Sequence, residues 1–367
     1  MKFKKVSRKL AAMMMTGAMM VSMLGMTVSA ARTGAVGDDG VYFTKTLNMD
    51  AAQGASTPNV TFTYTITQGS YVAATANSPE ILAGIGSPVV GTAVYKAVND
   101  ESTEVDETAL VKNVKVDFAN VTFTKPGIYR YVITEESTNN TDITNDKTAV
   151  RYLDVYVVND GNGYKIASQA LFSGNATDVP TKDGNSYKYA SKNDGFTNTY
   201  TTYELTLDKT VTGTMGDKGN LFKFTINFTN GPANGSFTYG TQKVELDANG
   251  VANVTGIELA DATAAIKITG IPSTVKYTVT ETINKTDGYT TTYTVNETAG
   301  TATASDTAVT SAEHTMGKIN NAVVVNNHKD AVSPTGIALT IAPYILMVAL
   351  AGVFAFLFLR RRNRADF

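Results

Sequence analysis

The sequence predicts an all-β chain in which two tandem immunoglobulin-like β-sandwich domains lie end to end, between a secretory signal peptide and a C-terminal transmembrane helix. Three observations predict this architecture. Residues 41–329 are rich in Thr, Val, Tyr and Phe that alternate with polar residues, which is typical of half-buried strands. The same succession of strands and turns occurs in residues 41–200 and again in residues 203–329. Each end of the chain carries an apolar segment beside a basic cluster.

Residues 1–30 have the organisation of a signal peptide, with a basic start, an apolar and Met-rich stretch from Leu10 to Thr27, and the small residues Val28-Ser29-Ala30 before the expected cleavage site. The alternative is a first transmembrane helix, against which the small-residue site argues. Residues 31–40 are small and polar, and we expect them to form a flexible leader.

Residues 41–200 are predicted to form the first sandwich, because short alternating segments are separated by turn residues. The clearest strands are Val60–Thr67, Val114–Phe118, Tyr129–Glu135 and Tyr152–Val158. The clearest turns are Lys125-Pro126-Gly127, Asn159-Asp160-Gly161 and Asp183-Gly184-Asn185. A helical turn is expected near Ser78 to Ala83.

Residues 203–329 repeat this pattern. Leu205–Val211 is similar to Tyr42–Leu47, and Val275–Glu281 is similar to Tyr129–Glu135. Only Thr201-Thr202 separates the repeats, so we expect an elongated rod.

Composition excludes several classes of function. The chain has 31 Lys and Arg against 33 Asp and Glu, and without its two ends it keeps 22 basic and 32 acidic residues, which does not suggest nucleic-acid binding. It has no Cys, so disulfides cannot stabilise it, and its two histidines, His314 and His328, leave little for a metal site or a catalytic triad. No cofactor is expected. An exported enzyme such as a glycosidase is a distant alternative, for which no cleft-forming pattern of carboxylates is visible.

Side-chain parity places ionisable residues on the apolar faces of strands, since alternate residues face the same side. In each half, one Lys, one Glu and one Asn share a face with large apolar residues. These are Lys45, Glu135 and Asn198 in the first half, and Lys209, Glu281 and Asn327 in the second.

Two interpretations of these buried polar residues differ in chemistry. The structural one is a buried Lys–Glu ion pair capped by Asn, although such pairs are often no better than apolar replacements. The chemical one uses desolvation, which lowers the pKa of a Lys and raises that of a Glu. A neutral Lys amine could then attack the Asn carboxamide, with Glu moving protons, and form an isopeptide crosslink with loss of ammonia.

These residues resemble those of the isopeptide-containing pilin subunits of Gram-positive bacteria, over nearly the whole chain. The resemblance implies Cna-B-like domains in which Glu135 and Glu281 catalyse the crosslinks Lys45–Asn198 and Lys209–Asn327. The first set matches the family's Tyr-x-Tyr-x-Ile-x-Glu and Phe-x-Asn patterns. The second has Val325 where Phe is usual. Asn326 remains an alternative to Asn327, and Glu136 is an outward-facing neighbour of Glu135.

The C-terminal 36 residues resemble a sortase sorting signal. Val332-Ser333-Pro334-Thr335-Gly336 precedes 23 uncharged residues, 337–359, which could span a bilayer, and a basic tail, 360–367, expected in the cytoplasm. The resemblance implies cleavage between Thr335 and Gly336, although the motif departs from Leu-Pro-x-Thr-Gly. A plain membrane anchor is the alternative.

The resemblance also implies polymerisation through an acceptor lysine, Lys192 or as second choice Lys188. The expected product is a structural subunit of a covalent pilus on the wall of a Gram-positive bacterium, transiently anchored in the membrane, with no enzymatic activity beyond forming its own isopeptide bonds. The expected partners are a pilin-type sortase, copies of the chain itself, tip or basal pilins, peptidoglycan and a host surface. The alternative is a wall-anchored surface protein, adhesin or minor pilin that does not polymerise.

Overall fold

The computed structural model describes residues 41–49, 54–106, 108–161, 163–184, 186–331 and 335–362. The predicted signal peptide, the leader, Val332-Ser333-Pro334 of the sorting motif and residues 363–367 of the basic tail lie outside the described residues.

The first domain is built of short strands that alternate buried and exposed side chains. Its strands are β1 Val41–Met49, β2 Val60–Phe62, β3 Tyr64–Gln68, β4 Ile81–Ala83, β5 Val89–Val90, β6 Ala93–Tyr95, β7 Thr103–Asp106, β8 Ala109–Asp117, β9 Gly127–Glu135, β10 Ile143–Thr144, β11 Val150–Asp160, β12 Gly163–Phe172, β13 Thr181–Asp183, β14 Ser186–Lys188 and β15 Gly195–Tyr200.

Two sheets of the first domain pack face to face. One has the order β10-β15-β1-β8-β5, with β7 also on β8, and the other has the order β12-β11-β9-β3, with β4 also on β9. Inward residues of both, such as Phe43, Val114, Tyr131 and Val155, form one hydrophobic core. The pairs β2–β6 and β13–β14 are short separate ribbons.

The second domain repeats this plan. Its elements are β16 Tyr203–Thr212, β17 Phe222–Thr229, β18 Ser236–Tyr239, β19 Gln242–Glu245, β20 Ala252–Leu259, β21 Ile266–Ile271, β22 Lys276–Thr282, a 3-10 turn Lys285–Asp287, β23 Thr290–Val295, β24 Thr298–Ala299, β25 Ala302–Ala304, β26 Ala308–Ser311, β27 His314–Thr315 and β28 Asn321–His328. The sheets have the orders β19-β18-β21-β16-β28-β23-β24 and β20-β17-β22-β26-β25, with β27 on β22, around a second core. The predicted all-β class is confirmed.

The first and last strands of each domain are parallel neighbours, and both domains use the same register. On β1 and β15, Leu47 pairs with Asn198, and on β16 and β28, Val211 pairs with Asn327. Each predicted Lys therefore lies two residues before the partner of the predicted Asn.

The helical turn expected near Ser78 to Ala83 is wrong. Ile81–Ala83 forms β4, which pairs in parallel with β9, and Ile81 is completely buried. Pairing with a distant strand and burial of apolar side chains override the weak local preference.

The two domains meet through direct contacts between their ends. Asp142 Oδ2 accepts a hydrogen bond from the Ser273 N–H at 2.9 Å, and Lys318 Nζ donates to the carbonyl of Thr141 at 2.6 Å. At Gly270, with φ +82°, a side chain would collide with the backbone of the first domain. The linker Thr201-Thr202 is thus one of several connections across the junction.

A single helix, α1 Thr335–Arg362, follows the second domain. Its segment Pro343–Arg360 has mean hydropathy 2.0 and is long and apolar enough to cross a membrane. This agrees with the predicted transmembrane helix.

Candidate functional site

The first domain buries a lysine–glutamate pair between its sheets. Lys45 Nζ on β1 lies 2.6 Å from Glu135 Oε1 on β9, and the two side chains are 0% and 3% exposed. The ammonium also lies 4.0 Å from the centre of the Phe62 ring. The Tyr95 hydroxyl donates to the Lys45 carbonyl at 2.7 Å and holds the strand in place.

Asn198 lies on β15 beside this pair and is completely buried. Its Oδ1 accepts a hydrogen bond from the backbone N–H of Asp146 at 3.1 Å. Its Nδ2 donates to Asn145 Oδ1 at 3.4 Å. Asn198 therefore lies on the strand next to that of Lys45. The hydrogen-bond partners of its carboxamide come from the turn after β10.

The second domain brings its three residues together around one carboxylate oxygen. Glu281 Oε1 accepts from Asn327 Nδ2 at 2.6 Å and lies 3.5 Å from Lys209 Nζ. All three side chains are at most 1% exposed. The Phe222 ring lies 4.3 Å from the ammonium and thus occupies the place of Phe62 in the first domain.

Burial makes both lysines unusually weak bases. It lowers the pKa of Lys45 to about 8, although the Glu135 carboxylate acts in the opposite direction. It lowers the pKa of Lys209 to about 8, against the pull of Glu281, and it raises the pKa of Glu281. With a pKa of about 8, about a tenth of each amine is neutral at pH 7, against almost none at the ordinary value of 10.5.

Asn326 and Glu136, the sequence neighbours of Asn327 and Glu135, point away from the buried Lys–Glu pairs. Asn326 Oδ1 accepts from the hydroxyls of Thr210 and Thr212 at 3.0 and 3.2 Å, on the other face of the sheet. Glu136 is exposed. Neither side chain reaches the buried Lys–Glu pairs.

Comparison with known proteins gives consistent matches in both domains. Residues 41–201 match the Spy0128-like isopeptide containing domain, and residues 203–322 match a domain of unknown function (DUF7601). A protein named Pilin, from Streptococcus pyogenes serotype M1, is 27% identical over 97% of this chain and 99% of its own length. The chain is therefore similar to a pilin over nearly its whole length, and its first domain is similar to an isopeptide containing domain.

Solved structures agree with the fold of this chain. The major pilin from Streptococcus pyogenes superposes with a TM-score of 0.54 at 23% identity, covering 80% of this chain and 99% of its own. The major pilin T3.2 of the same species superposes with a TM-score of 0.56 at 21% identity, with the same coverage.

The two lysines expected from the sequence as acceptors, Lys188 and Lys192, are exposed. Lys188 ends β14, and Lys192 follows it in the segment before β15. Between them, the Tyr189 hydroxyl donates to Asp154 Oδ2 at 2.8 Å. Asp154 in turn forms a buried ion pair with Arg130 at 2.8 Å, so a buried polar anchor holds the lysine-bearing segment on the sandwich.

Some residues around the first site were not anticipated from the sequence. Arg151 is 3% exposed and pairs with Asp146 Oδ2 at 2.7 Å. Arg151 lies two and four residues before Leu153 and Val155 on the same strand, and this alternation predicts that it points inward. Asp146 lies in a turn, where parity says nothing, and only the folded chain shows it beside Asn198.

Proposed function

We propose that this chain is a pilin, the shaft subunit of a sortase-assembled pilus, and that each domain closes an autocatalytic Lys–Asn isopeptide bond. The observation that carries the proposal is the repetition of one arrangement in two domains: a buried Lys of lowered pKa, a Glu on the facing sheet, and a buried Asn on the parallel neighbouring strand.

The proposed reaction uses no external group. The neutral amine of Lys45 or Lys209 attacks Cγ of Asn198 or Asn327, and the C–N bond forms. Glu135 or Glu281 accepts the proton from the amine and passes it to the leaving nitrogen, which departs as ammonia. Holding the groups in contact replaces an encounter in solution.

Such crosslinks would stabilise a chain that has no cysteine. They would close loops of roughly 150 and 120 residues, for which loop closure alone is worth about 5 kcal/mol each by analogy with disulfides.

The positions of the proposed acceptor lysine and of the expected cleavage site support head-to-tail assembly. β15 runs toward the junction and ends at Tyr200, so Lys192 lies at the far end of the first domain. β28 is parallel to β16, runs away from the junction and ends at His328. The expected cleavage site at Thr335 therefore follows one end of the rod, and Lys192 lies near the other end.

The isopeptide proposal is tested by intact mass of the mature chain, residues 31–335. We expect the wild type to lack two ammonia equivalents, and Glu135→Ala and Glu281→Ala to restore one each. Glu136→Ala is the matched control, because that side chain is exposed, and should not change the mass. A wild-type chain of full theoretical mass would refute the proposal.

Polymerisation is tested separately on the bacterial surface. A ladder of covalent multimers that is lost in Lys192→Arg but kept in Lys188→Arg would support the shaft role and the choice of lysine. A single wall-linked band in the wild type would instead indicate a surface protein or minor pilin that does not polymerise.

A further inference from the structure

The turn after β10 donates a backbone hydrogen bond to the Asn198 carboxamide. The Asp146 N–H lies 3.1 Å from Asn198 Oδ1, while Asn198 Nδ2 faces the side-chain oxygen of Asn145. A donor on one end and an acceptor on the other define which atom of the carboxamide is the oxygen. The atom that would gain negative charge during attack by Lys45 therefore faces an N–H group.

An ion pair whose side chains are 4% and 11% exposed holds this turn against β15. Arg151 Nη2 donates to Asp146 Oδ2 at 2.7 Å, and the same oxygen accepts from the Thr197 N–H at 2.8 Å. Arg151 Nε also donates to the Gly195 carbonyl at 2.9 Å. The Arg151–Asp146 pair thus binds β15 immediately before Asn198 and fixes the position of the Asp146 N–H.

The second domain lacks this arrangement. There, β23 continues past the crosslink site, and Thr291 pairs with Asn327 where the first domain has its turn. Asn327 Oδ1 has no hydrogen-bond partner among the described residues, and Glu281 itself contacts the carboxamide. The two domains therefore present their carboxamides by different means.

We propose that the backbone N–H of Asp146 stabilises the oxyanion that forms when the Lys45 amine attacks Asn198, and that Arg151 is the residue that positions it. The inference rests on the proposed isopeptide chemistry. As the new C–N bond forms, the carbonyl electron pair moves onto Oδ1, where the N–H donates to it. It returns as the bond to Nδ2 breaks, and Glu135 carries the proton from the amine to the departing ammonia.

The mature chain is made by cell-free translation, and synthesis is then arrested. Samples are taken over time, and peptide mass mapping measures the fraction of each crosslink that has formed. Asp146 is replaced by its α-hydroxy acid, which turns the amide into an ester and removes only the N–H. The matched control is the same replacement at Thr148, whose N–H donates to Asp146 Oδ1 at 3.0 Å and not to Asn198. The Lys209–Asn327 bond is an internal control in every sample.

We expect the ester at 146 to slow the Lys45–Asn198 bond by about 10²-fold, as the loss of one oxyanion donor does in enzymes, and to leave the Lys209–Asn327 bond unchanged. Equal rates for the esters at 146 and 148 would overturn the inference. Absence of the Lys45–Asn198 bond from the wild type would overturn it together with the proposed function.

Arg151→Gln gives a second test if the ester disturbs folding. The variant should slow the first bond and spare the second, with folding checked by protease resistance in a Lys45→Met background that cannot crosslink. A first bond that forms at the wild-type rate in Arg151→Gln would overturn the positioning role.

Discussion

Two lysines are kept inside apolar sandwiches, where each lies against an aromatic ring and a single carboxylate. A buried charge is strongly disfavoured, so burial shifts Lys45 and Lys209 toward the neutral amine. This is the form that a nucleophile needs. Once the crosslink has formed, the lysine nitrogen is an amide nitrogen and its positive charge no longer has to be buried, so the proposed reaction removes the unfavourable amine that drives it.

The shifted pKa of Lys209 predicts how an uncrosslinked domain responds to pH. In Asn327→Ala, Lys209 stays free, and its folded pKa of about 8 lies below the unfolded value of 10.5. Between pH 8 and about 9.5 the unfolded state binds more protons, so the free energy of unfolding should rise with pH. The slope from this group falls away as the pH drops through 8 and is almost zero below about pH 7. Denaturant titrations followed by circular dichroism at each pH measure the effect.

The control for this prediction is Asn327→Ala combined with Lys209→Met, which removes the titrating amine and keeps the other groups. The rise between pH 8 and 9.5 should be absent from the double variant. Parallel pH profiles for the two variants would contradict the prediction.

The pairing of first and last strands decides how tension would pass through each domain. In the second domain, force would enter on β16 and leave on β28, so the proposed Lys209–Asn327 bond lies on the path. In the first domain, force applied at Lys192 would pass straight along β15 into the linker. The proposed Lys45–Asn198 bond then lies beside the path, and the two crosslinks are not mechanically equivalent.

Single-molecule pulling can separate these two roles. Because the chain has no cysteine, Lys192→Cys and Ala331→Cys give unique attachment points. Lys209→Met should allow an extra extension of roughly 400 Å, the length of the freed segment at about 3.5 Å per residue. Lys45→Met should allow none between these points.

Moving the first handle to Val41 gives the converse test. The path then enters on β1, so Lys45→Met should extend the molecule by a comparable amount. Equal extension for both variants from the Lys192 handle would contradict the proposed path.

The junction between the domains contains a buried carboxylate. Asp142 is 4% exposed, and its Oδ2 accepts from the Ser273 N–H. Its backbone carbonyl accepts from the Thr201 N–H at 3.0 Å. One residue therefore holds both the linker and the facing domain, which favours a rod with a restricted angle between its halves.

Asp142→Ala should loosen this junction, because it leaves the buried Ser273 N–H without an acceptor, at a cost of about 1–3 kcal/mol. Small-angle scattering of the mature chain should then show a broader distribution of maximum dimensions. Asp142→Asn is the matched control, since its amide oxygen can still accept the bond. Identical scattering profiles for the wild type and Asp142→Ala would contradict the prediction.

The sequence alone was sufficient for the all-β class and for the inward direction of Lys45, Glu135 and Asn198. Both follow from the two-residue period of a strand, which is a local property of the chain. The sequence repeat then indicated the corresponding residues of the second domain, Lys209, Glu281 and Asn327.

Tertiary structure decided the features that depend on residues distant in sequence. Residues 81–83 became a strand only through parallel pairing with β9. The Asp146 N–H reached Asn198 only because a turn 52 positions away packs against β15. Period and composition describe which face a side chain occupies, whereas a hydrogen bond between a turn and a strand depends on how the whole sandwich closes.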